Sequence, residues 1–161
     1  SPSQFERGDF LRRPAERNPD WRLGLSAWSY TTREAVDQII LYGKACAVLT
    51  PVRGKVCDLW QGLYLTAGSH TMRFSYKASG RFTAFVRRAE DLTRPTGAAP
   101  TLTTIHEEVI TSGLDGYLPG RDWQTAEVTF TVPEDGLYQL GIEGTLRDTI
   151  GVYATDFSLD D

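Results

Sequence analysis

From Lys44 onward the chain breaks into short runs rich in Val, Thr, Phe, Tyr and Ile: "KACAVLT", "KVCDLWQGLYL", "HTMRFSYKA", "RFTAFVRR", "TLTTIHEEVI", "WQTAEVTFTV", "LYQLGIEG" and "GVYATDFSL". Turn sequences such as "PVRG", "AGS", "SG", "PEDG" and "TLRD" separate them. No other feature constrains the fold as strongly. Short strands at this spacing, without long helices between them, pair antiparallel and close into an all-β sandwich or barrel. A length of 161 residues suits one such domain with a real core. The chain therefore reads as a single β-sandwich over 1–161, and "SPSQ" reads as a cut end, of a domain excised from a larger protein or of a matured chain.

One stretch dissents. In "TTREAVDQIILYG", Thr31 precedes Glu34 by a capping-box spacing, and Ala35, Val36, Ile39 and Ile40 recur at helical intervals before Gly43. A short helix is expected near 32–42, with a strand over "DQIILY" as the alternative. "WRLGLSAWSYTTREAVDQIILYG" also resembles the opening strand and helix of a sugar-isomerase barrel. That fold needs about 250 residues and strands that alternate with helices, and nothing downstream alternates. The stretch from Ala89 to Arg121 is dense in Pro and Gly and reads as a long excursion with one strand inside.

Several function classes lose support. The net charge is -4 and the basic residues are scattered, so no basic face for nucleic acid emerges. No apolar run is long enough to insert into a membrane as a helix. Neither a nucleophile elbow nor a Walker-type loop is present. His106-Glu107 lacks the second His of a zinc-protease helix, since Ile110 stands there, and on a strand Glu107 and Glu108 face opposite ways. Cys46 and Cys57 flank "AVLTPVRGKV", which reads as a hairpin. A cross-strand disulfide and a pair of buried thiols both fit, while a four-cysteine zinc site does not. The 21 acidic residues leave a glycosidase pair open.

The order of features resembles a known family. "RGDF" is followed by Trp21, then by "WQGLYLTAGSHTMRFSYKASG", "DWQTAEVTFTVPEDGLYQLGIEG" and a closing "VYATDFSL". Together these resemble the galactose-binding-like jelly rolls from about Phe5 to Leu159. Many such domains are non-catalytic carbohydrate-binding modules of secreted polysaccharide-degrading enzymes. The resemblance thus implies an extracellular or cell-surface module that binds polysaccharide beside linked catalytic or surface domains. It assigns Trp21 and Trp123 to packing. It also implies a structural calcium joining first strand to last. Relatives open with "N-G-x-F-E", the Glu being a ligand; here "RGDFLR" places Leu11 at that Glu and Arg7 at the Asn. In the closing strand Thr155 replaces the first Asp, which leaves Asp9 and Asp156 as the metal candidates. In this frame Arg7-Gly8-Asp9, the tripeptide integrins read, is the start of the first strand, with Phe10 as its core anchor.

A sugar site wants flat aromatic platforms with polar groups beside them, and strand alternation sorts the candidates. If Cys57, Leu59, Leu63 and Leu65 face the core, then Asp58, Trp60 and Tyr64 face away, and Gln61 is structural. If Met72, Phe74, Tyr76, Phe82, Ala84 and Val86 face in, then Arg73, Phe85 and Arg87 face out. Gln139 and Glu143 follow from the inward Leu140 and Ile142. Should these strands be neighbours, one surface collects Trp60, Tyr64, Arg73, Phe85, Arg87, Gln139 and Glu143. Its arginines would suit an acidic or sulfated glycan. Equally, the aromatics could form a second packed layer. Trp28, Tyr30 and Tyr117 form a rival site in the connections.

The expectation is a non-catalytic carbohydrate-binding module. Two alternatives stand beside it: a protein-interaction or structural module of a surface assembly, and a small jelly-roll enzyme using Glu143 or Glu127.

Overall fold

The computed structural model describes residues 28–41, 43–90, 101–113 and 122–160. Arg7-Gly8-Asp9, Phe10, Leu11, Trp21 and Tyr117 lie outside them, as do both flanks of the expected excursion.

The described residues form nine strands: β1 (Val36–Leu41), β2 (Lys44–Leu49), β3 (Cys57–Leu65), β4 (Gly68–Ala78), β5 (Arg81–Glu90), β6 (Thr101–Thr111), β7 (Gln124–Val132), β8 (Gly136–Gly144) and β9 (Val152–Asp160). They make two antiparallel sheets, a five-stranded one in the order β1-β2-β9-β4-β7 and a four-stranded one in the order β3-β8-β5-β6. The two sheets face each other as a β-sandwich, and β6 is the one strand seen inside the excursion.

Alternation builds the core as the sequence predicts. Met72, Phe74 and Tyr76 of β4 meet Phe82, Ala84 and Val86 of β5 and Tyr138, Leu140 and Ile142 of β8, all buried. Phe74 lies at the centre, with ring centroids 4.9 Å from Phe157 and 6.2 Å from Phe82. Inward-facing Gln61 is buried, as expected. Trp123 is half-buried, with the Lys44 ammonium 5.7 Å from its ring.

Two local expectations are corrected. The helix near 32–42 is only a 3-10 turn, Arg33–Ala35, and β1 follows it at once. The capping box does not form: the Thr31 hydroxyl goes to Asp58 and the Thr32 hydroxyl to the Val56 carbonyl, at 2.9 and 2.5 Å. Val36, Ile39 and Ile40 are stiff β-branched residues, and the whole of β1 registers with β2. The second correction concerns "AVLTPVRGKV", which is no hairpin. β2 and β3 belong to different sheets, and residues 50–56 connect one sheet to the other. Both cysteines are free and buried. The Cys57 thiol accepts from Val52 N–H at 3.2 Å and burial pushes the Cys46 thiol up to about 11.

Among the described residues no helix is long and apolar enough to cross a membrane.

Candidate functional site

The outer face of the four-stranded sheet brings together most of the residues that alternation turned outward. Its register sets them in rows across β3, β8, β5 and β6: Gly62–Gln139–Arg87–Thr104, Trp60–Gly141–Phe85–Glu107 and Asp58–Glu143–Thr83–Val109. Tyr64 follows at the end of β3, opposite Leu137. Trp60 is half-buried, while Tyr64 and Val109 are exposed. The outer face of the other sheet differs: Cys46 and Lys77, both on it, are buried.

Trp60 owes its seat to its neighbours on both sides. On one flank, Ser29 pairs with it through two backbone hydrogen bonds, Ser29 N–H to the Trp60 carbonyl at 2.8 Å and Trp60 N–H to the Ser29 carbonyl at 2.9 Å. Asp58 holds this added edge in place. Its carboxylate accepts from Thr31 N–H at 2.7 Å and from the Thr31 hydroxyl at 2.9 Å. On the other flank stands Gly141. A Cβ there would lie 2.1 Å from the Leu59 carbonyl oxygen and 2.7 Å from Trp60 Cα, so only glycine lets β8 approach so closely.

Phe85 corrects the reading as an open platform. It points outward but is fully buried, with the Arg87 guanidinium over its ring at 3.8 Å from the centroid. Glu143 accepts from Arg87 at 2.7 Å and both side chains are largely shielded. The surface at β5 is therefore a guanidinium plane laid on a phenyl ring, with its charge matched by a carboxylate. Gln139, next to Arg87 in the register, is nearly buried.

Other candidates separate from this face. Arg73 lies on β4, in the opposite sheet, where Asp160 and Glu127 hold it. Parity along one strand does not say which sheet that strand joins. Glu127 and Glu143 accordingly sit on opposite outer faces and cannot act as a pair. Trp28 is a core residue, 5% exposed, with its ring 4.8 Å from Phe157. Tyr30 packs against the edge of the core, with the Arg33 guanidinium 5.8 Å from its ring. Tyr117 lies outside the described residues.

Asp156 occupies a kink in β9, with φ at 55° and a register shift against β4. Its carboxylate meets Lys44 Nζ at 2.6 Å, so an ammonium neutralises it. Asp9 lies outside the described residues, and among those described no group of three or more His, Cys, Asp or Glu is placed to hold a metal.

Two clefts continue the face toward one end of the sandwich. The first, of about 370 Å³, lies over Thr83, Val109 and Glu143 and reaches Lys55 and Thr145. A second, of about 580 Å³, opens between the β2–β3 and β8–β9 loops. They share Lys55, Val56 and Thr145. In sequence "PVRG" and "TLRD" are turns, and the signal of this cleft is the cation inside each, Arg53 and Arg147.

No family model and no curated protein sequence matches the chain. Solved structures do. A family 16 carbohydrate-binding module gives a TM-score of 0.57 at 16% identity, over 89% of this chain and 97% of that one. TmCBM61, solved with β-1,4-galactotriose, gives 0.55 at 17% identity, over 89% and 95%. The fold is the jelly roll of carbohydrate-binding modules. The CBM22-1 and GH10 modules of Clostridium thermocellum xylanase 10B, solved with xylohexaose, give 0.55 at 11% identity, over 83% of this chain and 26% of that longer one. At such identities the jelly roll is established by likeness, and its ligand has to be argued from residues.

Proposed function

We propose that the domain is a non-catalytic carbohydrate-binding module that takes a polysaccharide on the outer face of its four-stranded sheet, within a secreted or surface protein. One observation carries this reading. Trp60 and Tyr64 stand on the same open face, two strand steps to either side of Gly62, beside the polar row of Gln139 and Arg87. An indole and a phenol offer apolar planes to the C–H faces of sugar rings, and the part of the Arg87 guanidinium left open between them meets hydroxyls. The Arg87–Glu143 pair makes the centre of the face polar without net charge, which suits a neutral chain. Single sites of this size bind modestly, and attachment to a linked domain raises the effective concentration.

Affinity electrophoresis in gels containing β-1,4-galactan, xylan or hydroxyethyl cellulose tests it. At least one gel is expected to retard the domain without any release of reducing ends. Trp60→Ala should abolish that retardation with little loss of melting temperature. Retardation that survives Trp60→Ala, or turnover that disappears in Glu143→Gln, would refute the reading.

A further inference from the structure

The chain is acidic overall, at net charge -4, yet its loop-end cleft is lined by Arg53, Lys55 and Arg147 and by no carboxylate. Lys55 pairs with Glu34. Arg53 and Arg147 are exposed, and among the described residues neither makes a direct ion pair with a carboxylate. Val52, Val56 and Leu146 complete the walls, so apolar surface and unmatched positive charge share one opening.

Both walls are held before any ligand arrives. In the β2–β3 loop, Lys55 N–H donates to the Val52 carbonyl at 3.2 Å around Gly54, whose φ is 74°, and Val52 N–H donates to Cys57 Sγ at 3.2 Å. Thr32 fixes the Val56 carbonyl from outside the loop. In the β8–β9 loop, Asp148 and Thr149 N–H both donate to the Thr145 carbonyl at 3.0 Å. Arg81 clamps Asp148 through its side chain and through its own N–H to the Asp148 carbonyl, at 3.0 and 3.1 Å. That clamp directs the Asp148 carboxylate to Arg81, and Arg147 acts on it only through space, without a direct ion pair.

We propose that this cleft is a subsite for an anionic substituent of the polysaccharide, a uronate carboxylate or a sulfate ester. The sugar's apolar face would lie on Val56 and Leu146, and its anionic oxygens between Arg53 and Arg147. Val56 lies four residues along from Trp60, which at the rise of a strand is about 13 Å, within reach of a chain already seated on the sheet. A fork of guanidinium N–H groups matches either oxyanion. The inference rests on the sheet-face reading above, because the chain must first be held there.

The test compares each neutral gel with its carboxylated and its sulfated derivative, for the parent domain and for Arg53→Ala/Arg147→Ala. The parent is expected to bind one charged derivative roughly tenfold more tightly than the neutral polymer, the gain two partly exposed charge-assisted contacts supply. Added salt should erode that gain. Which derivative gains tells carboxylate from sulfate. The double variant should melt as the parent does, keep the neutral affinity and lose the gain. Equal retardation by neutral and charged gels, or a gain that persists in the double variant, overturns the inference and leaves the sheet-face reading intact. Binding of no gel at all overturns both.

Discussion

Replacing Gly141 by alanine is the sharpest test of how the sheet seats its tryptophan. The added methyl would lie 2.1 Å from the Leu59 carbonyl oxygen and 2.7 Å from both Cα and Cβ of Trp60. These neighbours are backbone and the root of a side chain, so no rotamer change relieves the clash. β8 and β3 have to separate, and the hydrogen bonds of that register have to lengthen. Overpacking of this kind costs about 1–3 kcal/mol, and the absence of a soft neighbour puts this site near the upper end. For a domain of this size each kcal/mol moves the melting temperature by about 2–4 °C, so a fall of about 6–12 °C is expected.

Gly62→Ala is the control. It lies on the same face and in the same strand pair, but its added Cβ would meet only Leu137 Cδ1, at an ordinary 3.9 Å. With no strain to relieve, the change trims the unfolded chain's freedom and raises stability by about 0.5 kcal/mol. Thermal melts followed by circular dichroism and by tryptophan fluorescence measure both variants. A Gly141→Ala melt within about 2 °C of the parent, or equal damage from the two substitutions, would show that β3 and β8 do not approach as described.

Trp28→Ala should cost about 3–5 kcal/mol by emptying the space against Phe157, in contrast to the mild effect of Trp60→Ala; urea titrations of the two variants decide it. A disulfide-exchange reagent at pH 8 should find no thiol in the native domain and two after denaturation, since Cys46 and Cys57 are free and buried and Cys46 is pushed up to about 11. The hydrogen bond from Arg81 holds the Asp148 carboxyl below its ordinary value of 3.8. A lowered folded value means that the clamp stabilises above pH 3.8 and is lost as the pH falls through the folded value. Carboxyl NMR titration should therefore find a midpoint below 3.8 that returns toward it in Arg81→Ala.

Most of the sheet face was legible because it depends on one rule. Once Leu59 and Leu63 are inward, Trp60 and Tyr64 must be outward, and the same parity fixed Arg87, Gln139 and Glu143. Arg73 obeyed the rule and still landed elsewhere, since strand order is set by distant pairings that no local pattern records. Phe85 failed for another reason. Parity gives direction, and accessibility depends on a side chain two residues away folding back over the ring. At β1 the strand alternative is the one that forms: Thr31 and Glu34 carry a helix-start spacing, but the Thr31 hydroxyl serves a carboxylate 27 positions further on. The loop-end cleft joins two turns far apart in sequence, so neither turn alone announced it.

These failures share a cause that bears on function. Core positions ask only for apolar volume at every second residue, which many sequences satisfy. That is why likeness in fold persists at 11 to 17% identity. On the sheet face Arg87 is matched by Glu143 and Asp58 by the two donors of Thr31, while Glu107 of the Trp60 row is an exposed carboxylate. The rows of this face thus hold no unmatched cation to attract an anionic polysaccharide. The guanidinium groups of Arg53 and Arg147, outside any direct ion pair, stand on loops braced by their own hydrogen bonds, where a substitution alters charge without disturbing strand register. Retention by the sheet and selection by the loop end are then separable. Trp60→Ala should remove binding of every polymer, while Arg53→Ala/Arg147→Ala should remove only the preference among them.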